Sequence, residues 1–275
     1  MAEQSTNRAL RSTKPNAGVR DAYAKKLREL VNALSAEVAS AIKEAYGEDA
    51  PLIAQDARRK LPSEKLVDLM EKIRGRWAKR LEEEAPTIGR WFAGKVHSSV
   101  SRQKRSAVKD AGLPAAFSVN FDKGRVSDDV FNGIVQENTR LIKSIASSYL
   151  DDVEGIVMRS VTTGRDIKGL SSELSARYGV TKRRADFIAR DQNNKATEAL
   201  ARAQDKAAGV TKGVWIHVPG KYSSRESHLK MNNKEFDLSK GLYDSEAKTW
   251  VLPGELPGCQ CSYRPLFSKD LWQKK

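Results

Sequence analysis

Cysteine is nearly absent. Cys259 and Cys261 are the two in 275 residues, one position apart. Neighbours that close do not form an ordinary structural disulfide, because the short ring strains the bond, and this excludes the disulfide-framed secreted class. Long apolar runs are missing too: no stretch approaches the roughly 18 residues a membrane span needs. The first 18 residues are polar and lack the apolar core of a secretory signal. Aromatic residues make up 7% and hydrophobic residues 39%, lean but above a disordered composition. Acidic residues are the minority charge, 35 against 49 Lys and Arg, for a net charge of +14. The sequence thus implies a soluble, basic protein made in the cytoplasm, drawn to polyanions such as nucleic acid, an anionic surface or an acidic protein. It has no Ser-His-Asp order, no glycine-rich phosphate loop and no His-Glu-x-x-His, so the common catalytic frameworks are absent.

What the chain does contain is helix periodicity. Tyr23, Leu27, Leu30, Leu34, Val38 and Ile42 fall at steps of three and four, predicting a helix from residue 19 to a stop at Gly47. A second helix is predicted from Ser63 to the glutamates 82–84, with a break at Pro86 and a third helix behind Thr87 carrying Ile88, Trp91, Phe92 and Val96. Loop chemistry follows over 111–124, then a long helix over 127–163 with apolar positions at Val130, Ile134, Leu141, Ile145, Val153 and Ile156. A short helix over 170–178 and a long one over 181–208, ended by Gly209, complete the helical part. Beyond Gly213 the pattern turns to short β segments: 214–218, 235–238, 249–252 and 261–264, set between prolines and glycines. The predicted class is α+β: a flexible polar tail over 1–18, a helical body over 19–168, and a unit of helices followed by short strands over 169–275.

Four groups of residues carry candidate chemistry. The first is basic: residues 72–109 hold eleven Lys or Arg against three acidic residues, with Trp77, Trp91 and Phe92 interleaved. Arg74, Arg76, Lys79, Arg80, Arg90, Lys95, Arg102, Lys104, Arg105 and Lys109 are the candidate DNA or polyanion contacts, since phosphate binding needs charge density rather than a fixed geometry. A solvated helix face with its aromatics in the core is the alternative. The second is the segment 174–184, where Gly179 between a short helix and basic Lys182, Arg183 and Arg184 imitates a helix-turn-helix; a plain helical corner is the preferred reading, since the second helix runs far beyond recognition length. The third is His217, His228, Cys259 and Cys261. On a strand Cys259 and Cys261 face the same side, and two thiolates with two imidazoles are the donor set of tetrahedral zinc. Zinc is therefore the candidate cofactor, against a buried thiol pair beside hydrogen-bonded histidines. A zinc nuclease would also need a base, for which Glu226 and Asp237 are nearest. The fourth is the polar run Arg190, Asp191, Gln192, Asn193 and Asn194 inside a helix, which either faces solvent or docks the β segments through hydrogen bonds.

The C-terminal hundred residues resemble a known family. Ile188-Ala189-Arg190-Asp191-Gln192-Asn193-Asn194-Lys195-Ala196, then Trp215-Ile216-His217-Val218, Ser224-Arg225-Glu226-Ser227-His228, Met231-Asn232-Asn233-Lys234-Glu235-Phe236 and the closing Pro257-Gly258-Cys259-Gln260-Cys261 are similar to the Mu F-like domain of phage minor head proteins. The resemblance spans about 170–266. It departs at Asn232-Asn233, where the family often has glycine, and at Gln260, where a basic residue is common; His217 lies outside the pattern. The resemblance implies a minor head protein of a tailed phage or prophage, made in the host cytoplasm and built into the procapsid near the portal, then part of the virion head. Its partners would be the portal protein and other head components, with non-specific DNA contact, no membrane and no small-molecule substrate. It implies no catalysis. Trp215, Arg225, His228, Cys259 and Cys261 would be structural, shaping the β unit or ligating a metal. The alternatives are a metal-dependent DNA-processing enzyme and a plain DNA-binding protein.

Overall fold

Apolar residues three and four apart give each long helix one stripe to bury, and the alternating segments after residue 210 are too short to stand alone and must pair. The computed structural model, which describes residues 8–46, 62–113, 125–162, 167–220 and 224–268, resolves both tendencies into an α+β fold. The element order is β1 (Arg8–Ala9), α1 (Ala17–Tyr46), α2 (Pro62–Asp110), α3 (Arg125–Thr162), α4 (Ile167–Ala207), β2 (Lys212–Ile216), α5 (Glu226–Met231), β3 (Glu235–Asp237), β4 (Leu242–Asp244), β5 (Thr249–Val251) and β6 (Ser262–Phe267). Among the described residues, no helix is long and apolar enough to cross a membrane. The predicted stop at Gly47 and the loop from 114 to 124 lie outside the described residues.

Two predicted breaks do not occur. α2 continues through Pro86 and α4 through Gly179, so the segment 174–184 contains no helix-turn-helix and no corner. Proline inside a helix removes one hydrogen bond, but Leu81, Ala85, Phe92 and Ala93 are buried on both sides of it. Thr87 Oγ1 donates to the Glu83 carbonyl, 3.0 Å, across the weak point. Glycine costs a helix about 1 kcal/mol, less than what burying Thr181 and Ala185 just beyond it secures.

The chain packs as two compact units: Ala22–Gly89 with Glu137–Ala189, and Met1–Asp21 with Arg90–Gln136 and Arg190–Lys275. The described residues of the first unit are all helical. Leu27, Val31 and Leu34 of α1, Trp77 and Leu81 of α2, and Ile142, Ile145 and Ala146 of α3 meet around a small void. Two polar pairs are built into this unit: Trp77 Nε1 donates to Glu37 Oε2, 2.7 Å, and Tyr23 Oη to Asn138 Oδ1, 2.9 Å.

The second unit holds the β segments. One sheet has the order β1-β6-β2-β3 and a separate hairpin joins β4 and β5; every pairing is antiparallel. Trp215 stands opposite Tyr263 in the β2–β6 register. Trp215, Phe236 and Tyr263 form a chain of edge-to-face contacts with centroids 5.9 Å apart at each step. The helix ends that feed this core are fixed by glycines at positive φ, Gly112 at 66° and Gly209 at 85°. In each case the following N–H reaches back to the helix, Leu113 to the Val108 carbonyl and Val210 to the Asp205 carbonyl, the Schellman arrangement. Residues 8–18 depart from the expected flexible tail. β1 pairs with β6, Leu10 is buried, and Asn16 Oδ1 accepts the Val19 N–H, 3.2 Å, as the N-cap of α1. The buried Leu10 is joined in holding this segment by Arg11 on Asp110 and by the Lys14 N–H on Gln103 Oε1, 2.9 Å.

Candidate functional site

The site is assembled in the second unit from three chain segments: the end of β2, the short helix α5, and the stretch entering β6. His228 of α5 and Cys259 and Cys261 before β6 are all buried, and their ligand atoms lie within 4.8 Å of one another. His228 Nδ1 is 3.5 Å from Cys259 Sγ and 3.5 Å from Cys261 Sγ. His217, one residue past β2, sets its Nδ1 3.6 Å from Cys261 Sγ. All four residues singled out in the sequence thus converge, with His217 at the margin.

Asp244 was not foreseen, yet it orients the cluster. Its Oδ2 accepts the His228 Nε2–H at 3.0 Å. Its Oδ1 accepts the backbone N–H groups of Glu246, 2.8 Å, and Ala247, 3.1 Å, which shapes the β4–β5 turn. Burial opposes its charge, but those backbone donors hold it below the usual carboxylate range. Glu246 in turn accepts the Ser227 N–H at the start of α5, 2.7 Å. For His228, burial disfavours the imidazolium, but the Cys259 sulfur and Asp244 outweigh it and raise its pKa. The two thiols share a proton unequally. A hydrogen bond from Cys261, with His228 assisting against burial, brings Cys259 down to about 4. The same hydrogen bond and burial push Cys261 up.

The loop bearing the cysteines is held by the polar run of α4. Asp191 Oδ1 accepts the Gly258 N–H at 2.6 Å, and Asn194 Nδ2 donates to the Cys259 carbonyl at 3.4 Å. Arg225 Nη2 donates to the Pro257 carbonyl, 2.9 Å. Asp191, Gln192 and Asn193 are buried, so of the two readings of this run, docking of the β segments is the one realised. Asn233 adopts φ 63°, a left-handed conformation that asparagine tolerates better than most residues.

The profile of the family described as "Phage Mu protein F like protein" matches residues 151–264, from within α3 into β6. Over this segment the chain is similar to the Mu F-like family. An uncharacterised protein of Haemophilus influenzae is 32% identical over 139 residues, covering 50% of this chain and 30% of that protein. The match therefore spans less than a third of that relative's length. No solved structure matches the chain.

The site residues named from the sequence fall on both sides of the Mu F-like segment's first residue. Within it, Trp215 is fully buried and stacks edge-on against His228 with centroids 5.5 Å apart. Glu226 is exposed and ion-paired with Lys230 at 2.8 Å, and Asp237 caps the turn at Ser239, 2.7 Å; neither carboxylate is hydrogen-bonded to the cluster. Before it lie the basic candidates on α2. In the helical unit Arg74 bridges Asp151 and Glu154, Arg76 pairs with Glu37, Arg80 with Glu84, and Lys79 is exposed. In the second unit Arg90, Lys95, Arg102, Arg105 and Lys109 are exposed. Lys104 leaves the set of candidate polyanion contacts. It is 2% exposed and its Nζ lies 2.5 Å from the fully buried Asp205, which also accepts Tyr263 Oη at 2.5 Å. Its position in the run of basic residues concealed that it sits on the inward stripe with Ala107 and Val108.

Proposed function

We propose that this protein is a minor head protein of a tailed phage or prophage, acting in head morphogenesis near the portal. It is made in the host cytoplasm and incorporated into the virion head. The observation that carries this reading is the Mu F-like match over residues 151–264, joined to four helices of 30, 49, 38 and 41 residues. Helices of that length suit an assembly component better than a compact enzyme, for which the usual helix is three to four turns. Portal protein and other head components are the partners of this reading, with non-specific DNA contact through the exposed lysines and arginines of α2. No turnover is assigned to it. A metal-dependent DNA-processing enzyme is the weaker reading, because a hydrolytic metal site needs a base beside it. The two carboxylates that the sequence offers for that role are engaged elsewhere, Glu226 with Lys230 and Asp237 in its own turn, and Asp244 is taken up by His228 and the turn behind it.

Quantitative mass spectrometry of purified virions and empty heads from the parent phage tests the proposal. A few copies of this chain per particle are expected. Absence from both particles, with the chain expressed in the infected cell, overturns it.

A further inference from the structure

We propose that His228, Cys259 and Cys261 hold a structural zinc ion and that His217 supplies the fourth ligand. Asp244 accepts the Nε2–H of His228, which in the neutral ring leaves one lone pair, on Nδ1. Two sulfurs approach that single nitrogen, each at 3.5 Å. One S–H could donate to it; two could not, and a protonated ring would have only one N–H to give. A single cation between the three atoms satisfies all of them.

The spacing fits the same ion. Zinc–sulfur bonds of about 2.3 Å and zinc–nitrogen bonds of about 2.0–2.1 Å at tetrahedral angles put N and S about 3.5 Å apart. The pair His217 Nδ1 and Cys261 Sγ, at 3.6 Å, has that spacing too. Both imidazoles are held from behind, which orients a ligating nitrogen: His228 by Asp244, and His217 by Ser224 Oγ at 3.1 Å from its Nε2. A polar pocket lined by His217, Ser224, Arg225, His228 and the stretch 258–261 adjoins the cluster and gives the ion its access.

The consequence is mechanical. β2, α5 and the approach to β6 are separate segments of the chain, and one ion ties the three together at their meeting point. With four protein ligands the site is closed, and closed sites stabilise a fold where open ones catalyse.

The test uses the full chain, purified without chelators. Elemental analysis is expected to give about one zinc per chain. Cobalt(II) in its place is expected to show a thiolate charge-transfer band and the intense ligand-field bands of a tetrahedral site. H228A, C259S and C261S should abolish stoichiometric zinc, and D244A should weaken it by roughly 10–100-fold, the usual cost of losing an orienting partner. H97A, at the one histidine with no cluster contact among the described residues, should leave it intact. H217A should retain the charge-transfer band with altered ligand-field bands. A chain that copurifies with no zinc and gives no cobalt charge-transfer band overturns the site, and identical cobalt spectra for H217A and the parent chain overturn the assignment of His217. Should the ligand variants fail to fold, mercurial titration of the parent chain decides instead: zinc released as two thiols react supports the site, and two reactive thiols with no zinc released sinks it.

Discussion

Glu198 lies on α4 beneath the turn at Gly254, so close that a Cβ on Gly254 would stand 2.8 Å from its Cγ. Neither carboxylate oxygen has a hydrogen-bond partner of good geometry among the described residues. Burial, the largest effect, raises its pKa to about 8, although Ser262, Arg202 and Lys104 act in the opposite direction. Unfolded, the same carboxyl releases its proton near pH 4.3. Between those values the folded chain binds a proton that the unfolded chain does not, so stability falls as pH rises through that window and levels off above it. Each pH unit between the two values is worth about 1.4 kcal/mol, so the whole loss is on the order of 5 kcal/mol. Glu198→Gln keeps the shape and removes the ionisation. It is expected to flatten this dependence and to raise stability most at pH 9, as followed by urea unfolding at pH 5, 7 and 9. Parallel pH profiles for the variant and the parent would refute the role of Glu198. Lys104, Asp205 and Tyr263 face the same interior, and their mutual contacts at 2.5 Å account for why that neighbouring charge is tolerated there.

At the scale of elements, periodicity was a sufficient guide to the helices and a poor one to their ends. The stripe Tyr23, Leu27, Leu34, Val38 and Ile42 is buried as its spacing predicts. Pro86 and Gly179 mislead because local propensity is a few kcal/mol at most, and the burial that overrides it is not visible from the residue itself. The metal-ligand candidates were legible through composition, since four of the five His and Cys residues lie beyond residue 216. Asp244 was not legible: an aspartate before a turn carries no mark that its second oxygen will meet a histidine sixteen residues earlier. β2 shows what the close packing demands in return. A Cβ at Gly213 would meet Tyr263 Cδ2 at 2.8 Å and Leu238 Cδ2 at 3.1 Å. The Tyr263 ring cannot swing aside, because its hydroxyl is anchored on Asp205. Gly213→Ala is therefore expected to destabilise by about 1–3 kcal/mol, the usual cost of overpacking a filled core. A denaturant midpoint equal to that of the parent chain would mean that the sheet has slack there.

For the molecule as a whole the open quantity is what the net charge of +14 does. Charge that is neutralised internally contributes nothing outside, which removes Lys104 and diminishes Arg74, Arg76 and Arg80. Arg90, Lys95, Arg102 and Lys109 are exposed and, among the described residues, enter no ion pair. If these groups neutralise phosphates, DNA binding releases counterions, and log affinity falls with log salt by about 0.9 per phosphate contacted, whatever the sequence. Fluorescence anisotropy on two unrelated duplexes between 50 and 200 mM salt should therefore give equal affinities and equal steep slopes. Replacing Arg90, Lys95, Arg102 and Lys109 together by Gln should lower the slope by up to about 4 and leave the unfolding midpoint nearly unchanged, since exposed charges contribute little to stability. A slope near zero in the parent chain would remove DNA as the partner of this surface. A steep slope that the quadruple variant preserves would move the contact to other basic residues. The two readouts separate charge that binds from charge that merely solvates, a distinction that composition alone could not make.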